Sequence, residues 1–129
     1  MTILDDPTTA VWTAFCRLDD LARERGAAAL LGGEQVAVFR LADDTVLAVQ
    51  QHDPFSDAYV LARGIVGSRA VDGVEVPTVA SPMHKQVFDL RTGRCLEPVG
   101  KSPARGLPAD LRTWPARVTG GVVEIEVPA

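Results

Sequence analysis

Four side chains with the chemistry of ligands, bases or nucleophiles sit in two proline-containing stretches. These are His52 and Asp53 in His52-Asp53-Pro54-Phe55-Ser56, and Ser81 and His84 in Ser81-Pro82-Met83-His84-Lys85. A histidine at a loop tip between strands is a common metal-binding arrangement, but a structural site takes four ligands. No second His, Cys or acid stands at ligand spacing from His84, which leaves it as a general base or a structural histidine. The His52-Asp53 pair invites a triad reading. Sequence neighbours on a strand point to opposite faces, however, and no serine occupies a G-x-S-x-G elbow. His52 therefore reads as a turn residue, and Asp53 before Pro54 as a turn initiator bonded to nearby backbone. Cys16 and Cys95 belong to no CxxC or Cys/His pair. They read as reduced thiols in or near the core, with a disulfide left open because the sequence does not fix their separation. Gly32-Gly33, with no GxGxxG and no Walker lysine, offers no nucleotide site.

The elements that must position these residues are mostly strands. Gln35 to Leu41 and Thr45 to Val49 are apolar at nearly every position and flank Asp43-Asp44, which predicts a hairpin covered on both faces. Ala27 to Leu31 is a short apolar run ended by Gly32-Gly33. Val11 to Cys16 predicts a further strand. Trp114 to Val118 and Val122 to Val127 predict a hairpin around Gly120-Gly121, with Val123, Ile125 and Val127 inward and Glu124 and Glu126 outward. Leu18 to Arg25 predicts one short helix, from the spacing of Leu18, Leu21 and Ala22, acids in the first turn, arginines in the last and Gly26 as the stop. Ala58 to Pro77 is the least regular stretch. Pro98 to Pro108 reads as an extended surface excursion.

The second stretch continues as Gln86-Val87-Phe88-Asp89-Leu90 and then Thr92-Gly93. Ser-Pro-Met-His followed by Phe-Asp-Leu-x-Thr-Gly resembles the second half of the Rieske iron–sulfur motif, Cys-Pro-x-His-Gly and then Phe-Asp-x-x-Thr-Gly. Aligning the prolines sets Asp53 and Phe55 at the first Cys and His, Ser81 at the second Cys, and His84 at the one retained ligand. The span between the halves is longer than is usual in that family. A Rieske centre needs two thiolates on one iron and two imidazoles on the other. The resemblance thus implies a Rieske-like antiparallel β-sandwich whose vestigial cluster positions Asp53, Phe55, Ser81 and His84 hold no metal.

Within that fold the chain resembles the small subunits of assimilatory NAD(P)H-dependent nitrite reductase over about residues 11 to 127. The resemblance rests on Asp53-Pro54-Phe55-Ser56, on Leu61-Ala62-Arg63-Gly64-Ile65-Val66-Gly67, and on Ser81 to Leu90 with Thr92 to Leu96. It implies no catalytic residue and no cofactor in this chain. The FAD, iron–sulfur cluster and sirohaem of that enzyme, which reduces nitrite to ammonium with NAD(P)H, belong to its large subunit, the implied partner. The loop tip of Pro54, Phe55, Met83, His84 and Lys85 is the expected partner-binding surface. Two rivals are a Rieske-type ferredoxin-like component of a dioxygenase and a stand-alone β-domain binding module.

Composition bounds these readings. A chain of 129 residues, 47% hydrophobic and 23% charged, suits one domain with a real core, here residues 11–129 after an N-terminal tail of residues 1–10. Net charge −4 argues against a nucleic-acid surface. No apolar run approaches the roughly 20 residues of a membrane span. The acidic start, Met1 to Thr9, lacks a secretory pattern, so a cytoplasmic protein is expected.

Overall fold

The two apolar runs predicted as a doubly covered hairpin lie at the centre of the molecule and divide it into two cores. A computed structural model describes residues 10–128. Its strands are β1 (Ala10–Arg17), β2 (Arg25–Leu31), β3 (Glu34–Arg40), β4 (Val46–Gln50), β5 (His52–Asp53), β6 (Ala58–Tyr59) and β7 (Ile65–Val71). They continue as β8 (Val74–Ala80), β9 (Val87–Asp89), β10 (Cys95–Glu97), β11 (Thr113–Trp114), β12 (Ala116–Thr119) and β13 (Val122–Pro128). Three antiparallel sheets run β1-β13-β12, β11-β4-β3-β2 and β10-β9-β8-β7, with β5 and β6 as a two-stranded ribbon.

Successive side chains on a strand face opposite ways, and β3 uses both faces. Val36 and Val38 enter one core with Leu21, Val46, Ala48, Trp114, Val123, Ile125 and Val127. Ala37 and Phe39 enter the other with Val49, Phe55, Leu61, Val79, Phe88, Leu90 and Leu111. The first core is the space between the β1 and β2 sheets. The second lies between β3–β4 and the β7–β10 sheet, and it supports the loops that carry Asp53 and Ser81. The continuous apolar run of β3 follows from burial on both faces, as expected. The C-terminal hairpin also forms as read, with Val123, Ile125 and Val127 buried and Gly120 and Gly121 at positive φ in its turn.

The helix expected over Leu18 to Arg25 does not form. Only a 3₁₀ turn, Leu18–Asp20, is present, and Arg25 already begins β2. The reason is a long-range donor. The buried Arg40 guanidinium gives hydrogen bonds to the carbonyls of Leu18 (3.2 Å) and Leu21 (2.8 Å), and the Glu24 N–H reaches the Arg40 carbonyl at 2.6 Å. These bonds hold the segment open, and Leu21 is buried while Ala22 is exposed. The stretch read as least regular is also more ordered than expected. β7 and β8 form a hairpin around Asp72 and Gly73 at φ 51° and 79°, the left-handed pair that a tight hairpin turn requires. Among the described residues, no helix is long and apolar enough to cross a membrane. Most of the tail assigned to residues 1–10 lies outside the described residues, and Ala10 already pairs with Pro128 in β1.

Candidate functional site

The two proline-containing loops lie side by side, joined by their side chains. Asp53, fully buried at the end of β5, accepts hydrogen bonds from the Phe55 N–H (2.9 Å), the Ser56 hydroxyl (2.9 Å) and the Ser81 hydroxyl (2.5 Å). The bond to Phe55 closes the turn that places Pro54 over the second core. Ser81, leaving β8, is itself buried, and its oxygen accepts the Met83 N–H at 3.2 Å. The Ser81 backbone closes the loop, with its N–H donating to Gln86 (2.9 Å) and its carbonyl accepting from Lys85 (3.0 Å). Lys85 takes φ 64° to complete this arch.

The positions aligned with the two thiolates therefore touch, and those aligned with the two imidazoles do not converge. Phe55 turns inward, 9% exposed, with its ring centroid 6.1 Å from that of the buried Phe88. His84 stands in solvent at the arch, beside Met83 (50% exposed) and Lys85. Of the five residues expected to form a binding tip, Met83, His84 and Lys85 are on the surface, whereas Pro54 and Phe55 are buried beneath it.

The donor set does not suit a two-iron cluster. Thiolate is replaced by a carboxylate already bonded to three donors and by a serine hydroxyl bonded to that carboxylate. Phe55 has no donor atom, and one imidazole cannot hold the second iron. Among the described residues, no group of three His, Cys, Asp or Glu side chains is placed to hold a metal ion. Both cysteines are free thiols, Cys16 against the first core and Cys95 against the second. Burial pushes both thiols above their ordinary pKa, with Asp20 adding to the effect at Cys16, so neither is an activated nucleophile.

His52 is not a turn residue and does not use Asp53. It opens β5 opposite Tyr59, and its Nε2 lies 2.7 Å from Asp57. Asp57 also receives two 2.9 Å hydrogen bonds from Arg105, which holds its carboxyl well below the usual carboxylate range, with His52 contributing second. This network and the Ala104 N–H to Pro54 carbonyl bond (2.8 Å) tie the Pro98–Pro108 excursion to the first loop. The sequence reading missed Asp57 and Arg105 as site residues and gave Ser56 no role beyond its place in the Asp-Pro-Phe-Ser stretch. Only Ser56, as a hydroxyl three residues after a turn aspartate, carried a local signal. A cleft of about 400 Å³ between His52, Tyr59, Arg112 and Trp114 adjoins the network. His52 is engaged by Asp57, and the Arg112 guanidinium is stacked 4.5 Å over Trp114, so two of the polar side chains lining the cleft already have partners.

The Phe-Asp-x-x-Thr-Gly segment is structural. Asp89 accepts the Arg91 N–H at 2.8 Å, and Gly93 bonds both the Asp89 carbonyl and the Leu111 N–H at 2.7 Å. Burial is the largest single influence on Asp89 and works against its charge, but the Arg91 side chain, the backbone N–H donors of Arg91 and Thr92 and the Arg91 charge together keep the pKa lowered.

Comparison with known proteins agrees with this geometry. The family of Rieske-like 2Fe–2S domains matches residues 11–126. The NADH nitrite reductase small subunit of Escherichia coli strain K12 is 38% identical over 115 residues, which span 88% of this chain and 95% of that protein. A solved structure from Mycobacterium tuberculosis, described as an NADH-dependent nitrite reductase small subunit, superposes with TM-score 0.78 at 42% identity, covering 94% of this chain and 98% of that one. An NAD(P)H nitrite reductase large subunit of Klebsiella oxytoca is 38% identical over 112 residues, 87% of this chain but 10% of that protein. With the fold, the paired loops and near-full-length similarity in agreement, the chain belongs to the Rieske-like domain family and, within it, to the NADH nitrite reductase small subunits.

Proposed function

We propose that this chain is a cluster-free, non-catalytic accessory subunit of a cytoplasmic NAD(P)H nitrite reductase in nitrate assimilation. It acts by binding the large subunit, which carries the FAD, iron–sulfur cluster and sirohaem that move electrons to nitrite. The observation that carries the cluster-free reading is the engagement of Asp53. Its carboxylate is taken up by Ser81, Ser56 and the Phe55 N–H at the place where two thiolates would meet one iron. An electron carrier of the ferredoxin type would need those ligands, so the role left to the chain is interaction.

Support for the partner comes from the Klebsiella oxytoca protein, in which a homologous stretch is part of a large-subunit chain. A module joined covalently to its partner in one organism has a natural role beside that partner when separate, since linkage raises the local concentration of a contact without altering it. The docking surface is the arch of Met83, His84 and Lys85, with an apolar side chain beside two polar ones that can form a rim, as interfaces favour. Pro54 and Phe55 contribute by supporting it from below.

The test is co-purification of the tagged chain from nitrate-grown cells. A large subunit bearing flavin and sirohaem should accompany it in fixed ratio. Recovery of the chain alone, with the large subunit present in the same cells, sinks the proposal.

A further inference from the structure

The Asp53–Ser81 contact is unlike the rest of the loop bonding. Asp53 and Ser81 are 28 residues apart, both are almost completely buried, and their 2.5 Å hydrogen bond is a side-chain bond joining the first loop to the second. Every other bond in the arch is local. The Met83 N–H reaches the Ser81 hydroxyl, the Lys85 N–H reaches the Ser81 carbonyl, and the Ser81 N–H reaches Gln86. Ser81 is thus the hinge on which the arch closes, and Asp53 fixes the direction of its hydroxyl. A serine that donates to a buried carboxylate has its lone pairs directed elsewhere, here toward the Met83 N–H. A charge-assisted O–H···O bond is short and roughly twice as strong as a neutral one. Its partner carboxylate is immobilised in turn by two further donors, Phe55 N–H and Ser56.

We infer that the Asp53–Ser81 hydrogen bond takes over the mechanical task of a shared metal. It crosslinks the two loops and sets the Pro82–Lys85 arch in the shape that meets the large subunit. Asp53 and Ser81 are positioning residues of the docking surface and do not touch the partner. The inference rests on the arch being that surface, as proposed above. It adds that the arch is preorganised by one buried bond, so that little ordering remains to be done on binding. Phe55 and Phe88 pack together beneath the two loops.

The experiment has a binding arm and an exchange arm. Ser81→Ala removes the crosslink without adding bulk. In amide hydrogen exchange of the free chain, the Phe55, Met83 and Lys85 amides should be protected in the unaltered protein despite lying in loops. In Ser81→Ala the Met83 and Lys85 amides should exchange at least about tenfold faster, with β3 amides unchanged. Titrated well below its melting temperature, where it is fully folded, Ser81→Ala should bind the large subunit at least about tenfold more weakly. A merely stabilising bond would lower the melting temperature and leave that affinity intact. The comparator is the Met83→Asp, Lys85→Glu double variant. If it loses affinity and Ser81→Ala does not, the arch docks but the crosslink is not what shapes it, and the inference is overturned. If the comparator binds normally, the docking surface is misassigned, and the crosslink is judged on exchange alone. Should Ser81→Ala fail to fold, the unaltered chain still decides: Met83 and Lys85 amides exchanging at free-loop rates overturn the inference.

Discussion

Gly93 is seated directly against the carbonyl of Leu111: a β-carbon on Gly93 would overlap that oxygen and crowd the Leu111 side chain. Gly93 also has φ 78°, in the left-handed region. The glycine that ends the Phe-Asp-x-x-Thr-Gly segment is thus required twice over, by conformation and by close approach, and neither requirement involves a ligand. Gly93→Ala should destabilise the domain by about 3 kcal/mol or more, among the largest losses for a single substitution. Gly73 has φ 79° with no atom within 4 Å of its β-carbon position, so Gly73→Ala isolates the conformational cost, about 1 kcal/mol. Urea denaturation of both variants checks this. Equal losses would remove the steric part of the argument.

The metal chemistry of the tip is open to direct assay. The purified chain should be colourless and iron-free, and anaerobic treatment with iron and sulfide should produce no Rieske absorption or electron paramagnetic resonance signal. Of the four ligand positions, Asp53, Phe55 and Ser81 hold neither thiolate nor imidazole, and Phe55 is packed on Phe88 in the second core. Stoichiometric iron with a Rieske signal would refute the cluster-free proposal.

Two hairpins were legible in the sequence because both strands and the turn left a local mark, at Asp43-Asp44 and at Gly120-Gly121. Asp72-Gly73 left the same mark, yet the glycines scattered around it led to an irregular stretch being expected where β7 and β8 pair. Leu18 to Arg25 carried a sound helix pattern that lost to tertiary bonding. The Arg40 donor lies 22 residues from Leu18, and no local rule registers it. The site was legible only through the motif that aligned Asp53 with Ser81. The Asp57–Arg105 pair, 48 residues apart, had no signal at all.

That pair makes stability depend on acid. Hydrogen bonds from Arg105, and secondly from His52, lower the pKa of Asp57 below its unfolded value, about 3.9. A carboxyl depressed by folding contributes stability that is fully present above its unfolded pKa and is lost as pH falls toward the folded value. Asp57→Asn keeps a residue tolerant of φ 59° while removing the charge. The variant should be less stable than the unaltered chain at about pH 5, and the gap should close as pH is lowered through the ordinary carboxylate range. A gap independent of pH down to about pH 2 would mean that the charge of Asp57 contributes nothing. Salt should also narrow the gap near pH 5, because the network is exposed.

The arch and the excursion beside it give the last prediction. Met83 is half exposed, His84 and Lys85 follow it in solvent, and Val99, 44% exposed, is a β-branched residue held at φ 56° on the neighbouring excursion. A β-branched residue in that region is strained, and such strain persists only where the surroundings over-determine it. Here the Val99 N–H is held by the Glu97 carboxylate at 2.9 Å, and Arg105 and Ala104 anchor the rest of the excursion to the first loop. Met83→Asp with Lys85→Glu changes only exposed side chains, so the isolated fold should lose no more than about 0.5 kcal/mol. Affinity for the large subunit should nevertheless fall by at least about tenfold, roughly 1.4 kcal/mol, since an acid replaces the apolar centre of the contact. Calorimetric titration, with circular dichroism showing the variant folded, measures both quantities. Undiminished affinity would take the docking surface away from the arch. Val99→Asp would then be the variant to lose binding, because the Pro98–Pro108 excursion is the adjoining surface tied to the same loop.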